Sequence, residues 1–121
     1  MKFLVMVYGN DAIWGDPSVD FAALVADVDR FNAELQASGE MVAVDGLESR
    51  PHAVRVAGGQ PVVSDGPYLE AAEYVGSYFV LDVADEARAL ELASSYPGLR
   101  HGTRGGGLEV WPLMTHGAPP A

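Results

Sequence analysis

The chain has 121 residues, 49% hydrophobic and 20% charged, which describes one folded domain rather than two domains or a disordered segment. Seventeen acidic against seven basic side chains give a net charge of −10, so nucleic acid and anionic membrane surfaces are poor partners. With no cysteine there is no disulfide, thiolate nucleophile or thiolate metal site, and no apolar run nears the roughly 20 residues that span a bilayer.

Residues 2–8 (KFLVMVY) predict a strand by their β-branched and aromatic content. Phe3, Val5 and Val7 fall on one face, and Leu4, Met6 and Tyr8 on the other. Both faces are apolar, so both require cover. A loop over 9–15 carries Trp14. Asp16-Pro17 reads as a helix start, because proline is tolerated in the first turn. Phe21, Leu24, Val25, Val28, Phe31 and Leu35 then recur at helical spacing, Asp20, Asp27, Arg30 and Glu34 take the wet side, and Ser38-Gly39 supplies the stop.

Residues 41–47 predict a second strand, with Met41, Ala43 and Asp45 alternating against Val42 and Val44. Residues 53–57 and 60–63 form a hairpin joined at Gly58-Gly59. Asp65-Gly66-Pro67 turns the chain into the longest strand, 73–83. There Val75, Phe79, Leu81 and Val83 share one face and Tyr74, Gly76, Tyr78 and Val80 the other. A second helix over 85–95 turns Ala87, Leu90 and Ala93 inward. A glycine-rich loop over 99–107 holds His101 between Arg100 and Arg104, a last strand runs over 108–114, and 115–121 form a frayed tail. The domain is therefore 1–114.

Without the hairpin the order is β-α-β-β-α-β, the ferredoxin-like arrangement of the α+β class. Right-handed crossovers place both helices on one face of a four-stranded antiparallel sheet, with the first and third strands at its centre. Those are the two strands that are apolar on both sides. Two helices cover one face only, so a second copy, packed sheet on sheet as a homodimer, is the expected cover for the other.

Candidate chemistry concentrates near the turn. Asp65 serves either as a general acid or base, or holds a histidine in one tautomer, or closes an Asx-type turn ahead of Gly66. His101 is the best base candidate because imidazole titrates near neutrality; the alternative is a solvent-exposed loop histidine. Tyr8, Tyr74 and Tyr78 either line an apolar pocket or pack at a dimer interface. Tyr68 follows the turn, Glu73 is either a pocket acid or a solvated rim residue, and Trp14 either lids a pocket or caps the end of the sheet. His52, His101 and His116 lack metal-ligand spacing, and the glycines after His101 lack the strand–glycine–helix order of a phosphate loop, so neither metal nor cofactor is expected.

The run VSDGPYLEAAEYVGSYFVLDV, the later RHG and LEVWPLM, the opening KFLVMVYGNDAIW and the segment DGLESRPHAVRV together resemble the YCII-related family. Within it, Asp65-Gly66-Pro67-Tyr68 is similar to the branch named for an Asp-Gly-Pro-Phe motif. The resemblance implies a dimeric α+β barrel of ferredoxin-like subunits and, by analogy with enzymes on that fold, isomerase, dehydrochlorinase or cofactor-free monooxygenase chemistry on small cyclic or aromatic metabolites. Here Tyr68 replaces the motif's phenylalanine, and Ala72 and Trp111 stand where relatives carry lysine and arginine, which argues against an anionic substrate. The expected function is thus binding of a small, largely apolar or aromatic metabolite. Asp65 and His101 would act on it, Tyr8, Trp14, Tyr68, Glu73 and Tyr78 would contact it, and a non-catalytic ligand-binding or accessory role is the alternative. With no basic-then-apolar leader, the expected location is cytoplasmic.

Overall fold

The computed structural model of the chain describes residues 1–9, 16–65, 74–101 and 106–114, so the expectations for Trp14, Tyr68 and Glu73 lie outside the described residues. In chain order the elements are β1 (Lys2–Gly9), α1 (Phe21–Ser38), β2 (Met41–Gly46), β3 (His52–Ala57), β4 (Gln60–Asp65), β5 (Tyr74–Asp82), α2 (Glu86–Ser94), the single turn α3 (Gly98–His101) and β6 (Gly107–Pro112). The main sheet has four antiparallel strands in the order β2-β5-β1-β6, and β3 with β4 forms a separate two-stranded hairpin. With β1 and β5 at its centre, this is the strand order a ferredoxin-like β-α-β-β-α-β chain requires. Among the described residues no helix is long and apolar enough to cross a membrane.

The core lies between the helices and one face of the sheet. Phe3 pairs with Leu81 and Val5 with Phe79, and all four side chains are essentially inaccessible to solvent. Leu35 of α1, Ala89, Leu92 and Ala93 of α2, and Tyr96 pack on them. The opposite face carries Leu4 against Val80 and Met6 against Tyr78, all half-buried, with the exposed Trp111 beside Leu4. Both long helices lie on the other side.

Helix α1 begins later than Asp16-Pro17 suggests. Asp16 instead closes a turn, its Oδ1 accepting from the Ser18 backbone N–H at 2.9 Å and the Ser18 hydroxyl at 2.7 Å. Asp20 is the N-cap, accepting from Ala23 N–H at 3.1 Å. The C-terminal stop is Gly39, whose φ of 82° is left-handed and whose N–H returns to Gln36. In the hairpin, Gly58 and Gly59 take φ of 59° and 76°, the pair of positive values a two-residue turn of matching twist demands.

Two bulges break the expected alternation. In β2 the register shifts between Met41 and Ala43, so Met41 opposes Leu81 and Val44 opposes Phe79; both join the core side and Val42 is left exposed. In β5 the register shifts where Val7 pairs with Ser77 but Tyr8 with Val75. Directly opposed residues share a face, so Val75 takes the side of Tyr8, and Tyr74, opposite Gly9, parts from Tyr78. Helix α2 is also rotated from expectation: Ala89, Leu92 and Ala93 are buried, while Ala87 and Leu90 are exposed. Asp85 caps its start by accepting from Arg88 N–H. The Arg88 guanidinium grips Glu40 through Nε and Nη2, both at 2.8 Å, holding the Glu40 carboxyl below its ordinary value and fastening α2 to the start of β2.

Phe79 touches the core from the central strand and makes edge or stacked contacts with both Phe31 and Tyr96. Phe79→Ala is therefore expected to destabilise the fold by about 3–5 kcal/mol, read as a lower midpoint in urea unfolding.

Candidate functional site

The first half of α1 does not sit on the sheet as closely as the second. Leu35 is buried near its C-terminal end, but Phe21 and Leu24 are only half-buried and Val25 is 56% exposed. Beneath that half lies a cavity of about 370 Å³. Phe21, Leu24, Val25, Val28 and Asn32 of α1 form its roof, and Val7, Val44, Gly76, Ser77 and Phe79 its floor. Tyr96, Gly98, Leu99 and His101 close one side, and Tyr8 with Gly107 and Leu108 borders another. The size and the mainly apolar wall suit a small organic ligand.

Three aromatic rings support the deep end. Phe31 meets Phe79 edge-on with centroids 5.8 Å apart and Tyr96 edge-on at 5.5 Å, while Phe79 and Tyr96 stack at 5.9 Å. Burial raises the Tyr96 phenol above its ordinary pKa, and a hydrogen bond with Ser77 works against that rise. Gly98 is where α3 starts. A Cβ added there would come within 2.5 Å of the Tyr96 ring, so only glycine lets the chain turn this tightly around the aromatic.

That turn delivers His101 to the cavity wall. The residue was expected in a loop; it ends a helical turn docked against α1, and its Nε2 lies 2.8 Å from Asp27 Oδ2. The two side chains are only 20% and 29% exposed, so the contact is partly shielded from water. Asp27 also accepts from Arg30 Nη1 at 3.1 Å. The hydrogen bond from His101 is the main reason the Asp27 carboxyl lies below its ordinary pKa, with Arg30 adding to it. With the proton on Nε2, the Asp27 carboxylate accepts from it and Nδ1, which has no partner among the described residues, is left as an acceptor.

The other described candidates are dispersed. Asp65 ends the outlying hairpin, fully exposed, with Oδ1 4.0 Å from His52 Nδ1, and it is not among the described residues lining the cavity. Tyr78 lies on the open sheet face opposite Met6. Tyr8 borders the cavity, but its hydroxyl reaches Met6 Sδ at 3.6 Å on the open-face side, where hydrogen bonding to Glu109 raises the phenol above its ordinary pKa. Among the described residues no three His, Asp or Glu side chains converge as metal ligands. In the sequence Asp27 reads as a wet-face residue of α1, with nothing to pair it with His101. One signal was present: Leu24 and Phe31, at i−3 and i+4, place it on the border of the apolar stripe.

The depressed Asp27 pKa sets the sign of a pH effect. Its stabilising contribution is complete above the unfolded carboxyl value of about 3.9 and is lost as pH falls through the lower folded value. The advantage of wild type over Asp27→Asn in urea midpoint should therefore persist from neutrality down to about pH 4 and vanish below it.

The model of the YCII-related domain matches residues 1–111. No curated protein matches the chain. A match across nearly the whole sequence, on the ferredoxin-like topology described above, shows that the chain belongs to the YCII-related domain family.

Proposed function

We propose that the protein binds a small, largely apolar or aromatic metabolite in the cavity under α1 and exchanges a proton with it through His101. The observation that carries this reading is the 2.8 Å contact of His101 with Asp27 on the wall of an otherwise apolar cavity. In the resting state Asp27 accepts from Nε2–H and Nδ1 is free to take a proton from a bound carbon acid or hydroxyl. The ring then becomes an imidazolium, stabilised by the adjacent carboxylate, and returns the proton to a neighbouring atom of the ligand or to a leaving group. Isomerisation and elimination follow from these two transfers; oxygenation would also need dioxygen as a co-substrate to react with the carbanion left by the first. Tyr8 serves this reading as a ligand contact. The Asp65-Gly66-Pro67-Tyr68 motif supports placement in the Asp-Gly-Pro-Phe branch of the family.

Ligand binding and chemistry separate in one experiment. NMR shifts from a library of small aromatic metabolites should move His101, Phe21 and Val28 and leave Val54 and Val63 of the hairpin unmoved. Ligands so found, incubated in deuterated water, should exchange a C–H or isomerise, and His101→Gln should slow this by about 100-fold or more while the ligand still binds. Binding with no exchange in wild type would move the assignment to a non-catalytic ligand-binding or accessory domain. A library that perturbs no cavity residue would refute the reading altogether.

We further infer that a second copy covers the open sheet face. Leu4, Met6, Tyr78 and Val80 are only half-buried there and Trp111 is 53% exposed, which supports sheet-on-sheet packing of two chains. Sedimentation should report a dimer for wild type and a monomer for Val80→Asp, whose carboxylate would sit at the centre of the contact.

A further inference from the structure

We infer, building on the cavity reading above, that the ligand is an uncharged aromatic molecule carrying a hydrogen-bond donor, and that carboxylates and phosphates are excluded. The polar groups on the wall are chiefly acceptors. His101 Nδ1 has no partner among the described residues. Asn32 lines the roof, and its Oδ1, shielded from solvent, accepts from no described residue. Asp29 of α1 adds an exposed carboxylate at the rim.

No lysine or arginine is among the described lining residues. Among the described lining residues an anion would find no cation to offset its lost hydration, and it would face Asp29 as well. A cation would meet attraction at the rim, where Asp29 is exposed, but would be desolvated by the apolar interior of Phe79, Val28 and Val7. An uncharged ligand avoids both costs. A donor on it would satisfy an acceptor that the empty fold leaves unpaired, and an unpaired buried acceptor is worth more to fill than an exposed one.

Naphthalene, naphthol and naphthoate have the same fused-ring frame and differ in offering no donor, a donor and an anion. Titrated against the whole chain by fluorescence or calorimetry, naphthol should bind about tenfold tighter than naphthalene, and naphthoate should be the weakest of the three. The naphthol advantage should shrink in His101→Phe, in Asn32→Leu, or in both. Equal binding of naphthol and naphthalene, an advantage that survives both substitutions, or tightest binding of naphthoate would overturn the inference while leaving a ligand cavity in place. Saturable binding by none of the three would remove the cavity reading with it. Should a variant fail to fold, the wild-type ranking decides by itself.

Discussion

Two helices cannot cover both sides of a four-stranded sheet whose central strands are apolar on each face, and much of this structure follows from that mismatch. On the covered side the central pairs Phe3–Leu81 and Val5–Phe79 are sealed by α1, α2 and Tyr96. On the other side Leu4, Met6, Tyr78 and Val80 stay half-buried, with no helix over them among the described residues. The cavity arises on the covered side for a related reason. Helix α1 is anchored at Leu35 and stands away from the sheet toward its N-terminus, so its apolar stripe continues past the point where the sheet can meet it.

The same gap explains why one short turn matters. Tyr96 fills the deep end against Phe31 and Phe79, Gly98 allows the backbone to wrap around that ring, and the turn that results ends at His101. Asp27, reaching from the outer border of the α1 stripe, meets it there. Acid–base chemistry needs a titratable group held in one tautomer next to apolar space, and here packing of an aromatic cluster supplies the position while one hydrogen bond supplies the orientation.

Strand order, helix positions and the hairpin were legible because they rest on local signals: periodicity in 2–8 and 21–35, a left-handed glycine at Gly39, and paired glycines at Gly58 and Gly59. The departures share a different origin. A bulge carries no residue signature of its own, so the shifts at Val42 and Gly76, which move Met41 and Tyr74 to new faces, come from strand pairing and not from composition. In α2 the alanines make two phases of the helix nearly equivalent, and the Asp85 cap with the Arg88–Glu40 grip selects between them. At the site, His101 stood out as a base, but its carboxylate partner lies 74 residues away on another element, and only the docking of α3 on α1 joins them.

The position of β1 has a consequence for how the chain assembles. It sits at the sheet's centre between β5 and β6, with Phe3 opposite both Leu81 and Pro112. Until those late segments exist, a strand with two apolar faces has no permanent neighbour. Assembly of the sheet therefore waits on contacts distant in sequence, which slows folding and leaves β1 exposed to competing partners in the meantime.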